Sequence, residues 1–546
     1  MAVIAVNQFS GVSPMTPPRY LSTNDAQVAQ NCPVWLGSLS SIRGISAITP
    51  DPLTKSGSIK SIYRFDQAET DEKKNWFHWT TDVDVVQGFI AGDTTERTYY
   101  TGDGNPKVTN NALALTGGGT DYPVASYDIG VPKPTGTFTT AKTGTADANT
   151  TAETRVYIFT YVNSWDEEST PYSETDMSPS TEDVYPGESV VVTMPTGSLS
   201  NVNVTKKRIY RSATGSTNTN YFFVAEVPLA TATYTDSLDG DSLNEVLPSL
   251  TWVQPPTTLK GLVGLANGIM VGFSGNDVYF SEPFRPFAWP VQYMQTVGSP
   301  VVGLGVIDTT VVVLTKGRPY FIQGSHPDSM VMIEADVNQA CISKRSIVSM
   351  GGHVFYASPD GLVGLAPGGS TVVTQSIFDK YTWQSLSPED LLGCMYETQY
   401  VGFFDTTSGD GGFVYDMVAK TWNFHSVYVV GAFNDLKNDA LYVIKESDKT
   451  LWKWDTGTAL SYTWKSKKFT FSEPKSFSCY RVQAEAYPVT MKIYRDAASI
   501  VNLSVTDDSL RRLPPGLGTD WEFQLEGNTE VYNVQIAQSP TELNAG

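Results

Sequence analysis

Between residues 260 and 456 one pattern of short strands and turns recurs five times, which leaves few folds open to the chain. In the first copy, residues 262–266 are an apolar run. Asn267-Gly268 follows, a pair that takes the positive φ angles of a two-residue hairpin turn. Residues 269–273 return, Gly275-Asn276-Asp277 turns again, and 278–281 form a third strand. Further copies begin near Val301, Ser346, Leu391 and Val429. The second turns at Asp308-Thr309 and Lys316-Gly317, and the third at Gly351-Gly352 and 358–361. The fourth turns at 397–399 and 408–412, and the fifth at 434–439 and 446–449. The spacing of about 40 residues is the period of a four-stranded propeller blade. First strands carry small residues, as in Val263-Gly264-Leu265, Val302-Gly303-Leu304, Leu392-Gly393-Cys394 and Val430-Gly431-Ala432. Inner strands converging on a narrow axis need such residues; a sandwich of short strands needs no such repeat.

The flanking segments supply more strands. Residues 58–100 contain Ile62-Tyr63-Arg64-Phe65, Trp76-Phe77-His78-Trp79 and Thr98-Tyr99-Tyr100. Residues 462–471 and 481–494 offer ring-completing strands at the other end. Residues 132–152, rich in Thr, Gly, Pro and Ala, read as a linker. After it, strand patterns over 154–162, 188–194, 206–212, 221–227 and 231–235 have the spacing of a sandwich. The expected fold is all-β: a β-propeller interrupted by an inserted immunoglobulin/fibronectin-III-like β-sandwich, with a small N-terminal platform segment. The expected domains are 1–57 (N-terminal platform), 58–133 (first propeller portion), 134–250 (inserted sandwich), 251–463 (main blades) and 464–546 (C-terminal closure of propeller or platform). Such an insertion costs the host fold little, because loop-closure entropy grows slowly with length. Helical periodicity is nearly absent. The clearest helix signal covers residues 25–31, behind the capping pattern Ser22-Thr23-Asn24-Asp25.

Lys and Arg number 37 and Asp and Glu 57, so the formal net charge is 37 − 57 = −20. That balance argues against a protein that grips nucleic acid through a basic surface. The best apolar run, residues 301–314, contains Asp308 and falls short of the roughly 20 residues of a membrane-spanning helix. The opening from Met1 to Phe9 has no cationic n-region, so no secretory signal is expected. Cys32, Cys341, Cys394 and Cys479 are scattered and form no Cys-x-x-Cys pair. They are expected as free thiols of a protein made in a reducing cytoplasm.

The usual signatures of chemistry are missing. The chain has no phosphate-binding Gly-x-x-x-x-Gly-Lys-Ser/Thr, no His-Glu-x-x-His and no Gly-x-Ser-x-Gly. Gly117-Gly118-Gly119 has no strand before it and no helix after it, and reads as a turn. Ser472-Glu473-Pro474-Lys475 and Lys142-Thr143-Gly144 read as chance matches to a nucleophile motif. Residues 405–412 lack the alternating oxygen ligands of a Ca²⁺ loop and read as a hairpin turn. His78, His326, His353 and His425 share no ligand spacing. Ser358-Pro359-Asp360-Gly361-Leu362 matches the Asp-box of propeller sialidases only superficially. No catalytic, metal or cofactor residue is therefore expected, although paired carboxylates for glycoside hydrolysis meet only in the fold and stay open at this stage.

Four regions carry a likeness. They are Asn7-Gln8-Phe9-Ser10-Gly11 with residues 26–32 and 37–44; Ser281-Glu282-Pro283-Phe284-Arg285-Pro286-Phe287-Ala288-Trp289-Pro290; residues 341–348 continuing through 356–362; and residues 512–516 with Trp521-Glu522-Phe523 and Ile536. Together they resemble the tail-nozzle (tail tubular protein B type) proteins of short-tailed bacteriophages. The resemblance implies a structural virion tail protein, assembled in the host cytoplasm. It implies a homo-oligomeric ring, usually a hexamer, of subunits each with a propeller and a platform domain. The ring sits below the head-to-tail adaptor protein, contacts tail fibres or spikes, and conducts genomic DNA during ejection without binding it tightly. The family offers no catalytic residue to carry over.

Within this frame Glu282, Arg285, Trp289, Lys344 and Arg345 are expected as inter-blade or subunit contacts, with Trp289 a packing anchor and Trp422 on the closing strand of a blade. Arg345 is expected to pair with a carboxylate. The clusters Lys206-Lys207-Arg208 and Lys465-Ser466-Lys467-Lys468 are expected to face the exterior or subunit contacts, leaving an acidic lumen. The alternative is a receptor-binding propeller tail protein that recognises host surface glycans through exposed Tyr and Trp. A propeller glycosidase is a third, weaker reading.

Overall fold

The structure, a computed structural model, describes residues 3–34, 37–65, 69–90, 92–116, 120–147, 149–172, 181–197, 199–213, 220–243, 245–446 and 449–544. Gly117–Gly119 lie outside these. The chain divides into two compact units: Met1–Asp82 with Val302–Phe321 and Ile333–Gly546, and Val83–Val301 with Ile322–Met332. Both are built almost wholly of strands.

Each of the five repeats becomes a small antiparallel meander, as the alternation of strand and turn residues demands. The first is Lys260–Gly264, Met270–Ser274, Asp277–Phe280 and Gln295–Thr296. The second is Val301–Ile307, Thr310–Thr315, Tyr320–Gln323 and Val331–Glu334. The third is Val348–Met350, His353–Ser358, Gly361–Ala366 and Gly369–Val372. The fourth contains Leu392–Tyr396, Gln399–Thr406, Gly409–Asp416 and Trp422–His425. The fifth, Gly431–Asp435, Ala440–Ile444 and Leu451–Lys453, takes its fourth strand, Ser46–Ala47, from the N-terminal segment. Upstream, Ser61–Arg64 pairs with Trp76–Trp79, and Asp84–Gln87, Thr98–Thr101, Lys107–Thr109 and Tyr127–Asp128 make another four-stranded sheet. These are sheets of the propeller-blade type, and the all-β propeller class follows from them.

Val311, Val312, Val313 and Leu314 are consecutive and all buried, because their sheet is covered on both faces. The small residues of the first strands make such cover possible. A Cβ on Gly264 would fall 2.4 Å from the Phe89 ring, and one on Gly431 would fall 2.8 Å from the Lys60 carbonyl oxygen. Each meets a residue that flanks a strand of another sheet, Asp84–Gln87 or Ser61–Arg64.

In the second unit a two-layer sandwich interrupts the meanders. One sheet has the order Thr139–Gly144, Glu188–Thr193, Thr233–Asp236; the other runs Thr181–Val184, Glu153–Asn163, Val204–Ala213, Asn220–Pro228. Phe138, Tyr157, Phe159, Tyr161, Val190, Val192 and Ile209 fill the space between. The first two strands lie in different sheets, whereas the immunoglobulin constant order places them in one. Part of the expected linker, Thr139–Gly144, is a strand paired with Glu188–Thr193. Its side chains are mostly exposed, so no apolar alternation marks it. A buried pair pins this body: Arg211 Nη1 donates to Asp236 Oδ2 at 2.5 Å, and the Tyr157 hydroxyl donates to the same oxygen at 2.7 Å. Lys207, expected outside, is buried. Its ammonium donates to the carbonyls of Pro195 and Thr231, and burial lowers its pKa to about 8. The period of two along Val204–Ala213 leaves Lys206 and Arg208 outward, in ion pairs with Asp166, Glu226 and Glu168.

Residues 25–31 are not a helix. Ala26–Gln30 is a strand against Tyr462–Ser466, although the Asp25 N–H does close a turn on the Ser22 carbonyl. Seven residues are too few to sustain an isolated helix, and the neighbouring strand Tyr462–Ser466 offers them a ladder instead. The late strands, offered as ring-completing ones, also pair elsewhere. Tyr462–Ser466, Gly518–Gly527, Val489–Arg495 and Ala498–Val505 extend one sheet beyond Ala26–Gln30. Val3–Val6, Val531–Ala537, Cys479–Ala484 and Arg511–Arg512 form another. Trp464, Trp521, Phe523, Val534 and Ile536 are buried between N- and C-terminal segments. Ser472-x-x-Lys475 lies in the strand Phe469–Lys475, so it presents no helical nucleophile.

Asp236→Ala strands the Arg211 guanidinium in the sandwich core. Truncating one partner of a buried pair costs about 3–5 kcal/mol. Urea or thermal melting of the full chain is expected to show that loss in the transition that reports the sandwich. An unchanged melt refutes it.

Candidate functional site

The five expected contact residues fall in two places, one in each unit. In the second unit, Ser281–Pro290 leaves the strand Asp277–Phe280 as a tight loop. Ser281 anchors it: its hydroxyl accepts the Met270 N–H at 2.9 Å. The Glu282 N–H donates to the Ala288 carbonyl at 2.9 Å, and the Arg285 N–H to the Glu282 carbonyl at 3.1 Å. Trp289 is 2% exposed, packs with Tyr99, Val108 and Met270, and donates its indole N–H to the Pro286 carbonyl at 2.9 Å. It is a packing anchor. The Glu282 carboxylate accepts the Tyr293 hydroxyl at 3.1 Å. Burial and that carboxylate push the phenol up to about 12.

Arg285 behaves differently. It is exposed, its guanidinium sits 4.9 Å from the centre of the Trp252 ring, and it has no ion pair among the described residues. Trp252 meets Phe287 edge to face at 5.6 Å. Phe284, beside it, is 58% exposed and holds φ at 58°, a left-handed value unusual for a bulky residue. Its N–H donates to the Gly268 carbonyl at 2.8 Å, and a Cβ on Gly268 would fall 2.5 Å from its ring. A cleft of about 620 Å³ elsewhere, in the first unit, is lined by Phe355, Val372, Ile377, Tyr415 and Met417. Beside the loop lies a smaller one, about 370 Å³, lined by Arg97, Trp165, Glu167, Trp252, Arg285 and Phe287. There Arg97 donates to Asp93 and Glu167, both at 3.0 Å, and stacks 5.6 Å from the Trp165 ring centre. Burial raises Glu167 to about 7, against the lowering effect of Asn163 and Arg97.

In the first unit, Lys344 and Arg345 start a single 3-10 turn, Lys344–Ser346, ahead of Val348–Met350. Lys344 Nζ pairs with Asp82 at 2.8 Å. The Arg345 guanidinium donates to the carbonyls of Lys60, at 3.1 Å, and of Val430. The expected carboxylate partner of Arg345 is thus replaced by two main-chain oxygens. Burial lowers the Arg345 pKa and nearby Asp82 opposes it. Around the same turn, the Ser343 hydroxyl donates to the Leu391 carbonyl and the Tyr400 hydroxyl to the Ser346 carbonyl, both at 2.9 Å. The turn therefore holds elements of four sheets. Asp82 and the two carbonyls carry no local sequence signal, since backbone oxygens are the same at every residue.

Elsewhere, His78 Nε2 accepts the N–H groups of Thr54 and Lys55 at 3.2 and 3.0 Å, a structural use. His425 is buried between Phe403 and Trp454, and burial pushes it down to about 3. Trp422 stacks on Phe413 at 4.0 Å, on the fourth strand of its meander, which also pairs with Ala26–Gln30. The four cysteines are buried. No group of three or more His, Cys, Asp or Glu among the described residues is arranged to hold a metal, and no described helix is long and apolar enough to cross a membrane.

No protein-family model matches the chain, and no curated protein matches it. Among solved structures it is similar to BBS1N in complex with ARL6DN, at 11% identity over 69% of this chain and 93% of that one, with a TM-score of 0.25. It is similar to an exo-beta-1,3-galactanase from Phanerochaete chrysosporium with galactose, at 8% identity over 52% and 96%, with a TM-score of 0.21. It is also similar to the Neurospora crassa Pan2 WD40 domain, at 7% identity over 49% and 82%, with a TM-score of 0.24. Likenesses this distant carry no argument about function.

Arg345→Ala removes a charged donor from two carbonyls and is expected to cost about 2–3 kcal/mol. Lys344→Ala breaks a half-exposed pair and is expected to cost under about 1 kcal/mol. Equal melting of the two variants refutes this ranking. Glu167 gives a pH dependence of definite sign. Its folded pKa, about 7, exceeds the unfolded value, so the folded state binds more protons between them. Stability is expected to fall as pH rises through that window, and Glu167→Gln to flatten the fall. A wild-type profile that rises there refutes it.

Proposed function

We propose that this chain is a non-enzymatic structural protein of a virion tail, a self-assembling nozzle of the short-tailed phage type. It conducts DNA during ejection, below the head-to-tail adaptor, and offers surfaces to fibres or spikes. The observation that carries the reading is the use the fold makes of the two most family-like segments. Residues 341–362 supply a turn whose Lys344 holds Asp82 and whose Arg345 holds the carbonyls of Lys60 and Val430. Residues 281–290 are a tightly bonded loop that turns a strained aromatic and an unpaired guanidinium outward. Both uses are architectural, and the second is what an assembling subunit needs.

The charge balance supports the conduit. A channel that lets a duplex slide must not neutralise its phosphates, because each neutralised phosphate strengthens binding. With a net charge of −20 the chain has few cations to spare. In the two clusters Lys465 pairs with Glu522, Lys468 with Asp520, and Lys206 and Arg208 with Glu226. Lys207 is buried on carbonyls, and Lys467 alone has no ion pair among the described residues. The glycan-recognising alternative draws on the cleft of Trp165 and Trp252, whose ring faces carry Arg97 and Arg285.

Light scattering on the purified chain is expected to show a discrete ring or ring-forming oligomer. Fluorescence anisotropy is expected to show no appreciable duplex-DNA affinity at physiological salt. Micromolar binding with a steep salt slope contradicts the conduit. A persistent monomer that scores on a glycan array moves the assignment to receptor recognition.

A further inference from the structure

We propose that copies of this chain dock head to tail through two different patches: the Phe284–Arg285 loop of one copy seats on the Asp405/Asp410 hairpin of the next. The inference rests on the self-assembling reading above and names the contact that reading requires.

The first patch is built to meet a partner. Arg285 lies on the Trp252 face and finds no carboxylate among the described residues of a chain with 57 acids. Stacking holds the planar fork in place, so little freedom is lost when it binds. Phe284 is held in a left-handed conformation that turns its ring to solvent. Val291, 61% exposed, and Met294, 37% exposed, follow in the same segment. An arginine stacked on a tryptophan, with an exposed aromatic beside it, has the residue types of a binding hot spot.

The second patch is complementary. Gln399–Thr406 and Gly409–Asp416 form a hairpin whose register sets Asp405 directly opposite Asp410. Residues opposite one another in an antiparallel pair share a face, with Cβ atoms about 5 Å apart, and like charges there repel. Both residues are exposed, and neither has a cation partner among the described residues. Asp405, Glu446 and Asp410 together help hold the Tyr428 phenol above its usual range, after burial. Two adjacent carboxylates with no cation are a receptor for one guanidinium, which binds such oxygens through paired N–H groups. Because the two patches differ, the contact is heterologous. Such contacts close into rings or run on as filaments.

The test uses the full chain and reads mass by light scattering and sedimentation, with melting as a control for folding. Arg285→Glu and the double variant Asp405→Lys/Asp410→Lys are each expected to self-associate about tenfold more weakly or worse. Their equimolar mixture is expected to regain assembly. In it each copy meets an opposite charge on both sides: the glutamate loop meets the lysine hairpin, and the arginine loop meets the aspartate hairpin. Phe284→Ala is expected to weaken association without lowering the melting temperature. Charge-reversed variants that assemble like wild type overturn the contact and leave the ring standing. A mixture that stays apart while wild type assembles also overturns the contact. A wild type that stays monomeric at every concentration overturns contact and ring together.

Discussion

Small meander sheets cannot stand alone, and every other feature of the molecule follows from how each finds cover. A sheet of four short strands has two apolar faces and too little area to bury either by itself. Val311–Leu314 and Leu362–Leu365 are apolar on both sides and mostly fully buried, so another layer must lie against each face. That layer can approach only where side chains are absent, which is why Gly264 and Gly431 sit on first strands. Close approach also brings strand ends together, and their free carbonyls and N–H groups need partners where water is scarce. Arg345 and His78 supply them, one as donor to two carbonyls and the other as acceptor from two N–H groups.

The same logic decides how much of the fold was legible in the letters. The five repeats could be read because alternation and turn residues are local properties, and Asn267-Gly268 or Gly351-Gly352 announce themselves. Strand partners from far along the chain could not. Ser46–Ala47 completes a sheet whose other strands lie some four hundred positions later, and nothing in two residues signals it. Ala26–Gln30 illustrates the stronger failure: a real turn at Ser22 was followed by the wrong element, because the deciding hydrogen bonds come from Thr463–Ser466. Thr139–Gly144 was hidden for the opposite reason. An exposed edge strand needs no buried alternation, so its composition resembles a linker.

Charged residues were harder still, since a cluster in sequence is not a cluster in space. Lys206, Lys207 and Arg208 read as one basic run, yet a strand sends the middle one inward and the outer two to carboxylates. Glu282 and Arg285 are backbone partners, while their side chains go to Tyr293 and Trp252 respectively. The chemistry of the two candidate contact segments was therefore readable only after the backbone had been laid out.

What separates those two places is satisfaction. At Lys344–Arg345 both side chains have acceptors within the chain: Lys344 has Asp82, and Arg345 has the carbonyls of Lys60 and Val430. At Phe284–Arg285 the fold spends backbone strain and leaves the guanidinium without an ion pair among the described residues. Scarcity does not explain this, because acids outnumber bases by 20. Geometry does: Arg285 is stacked on Trp252, Glu167 and Glu168 of the same cleft are paired with Arg97 and Arg208, and no carboxylate among the described residues is within ion-pair distance of Arg285. A long, flexible side chain released from that stack would find a surface carboxylate at little cost, and such exposed pairs contribute little to stability. The stack therefore contributes little through charge to the isolated chain. Its physical consequence is a cation kept open and oriented, with an aromatic ring held beside it, and that arrangement gains free energy only when a second surface arrives.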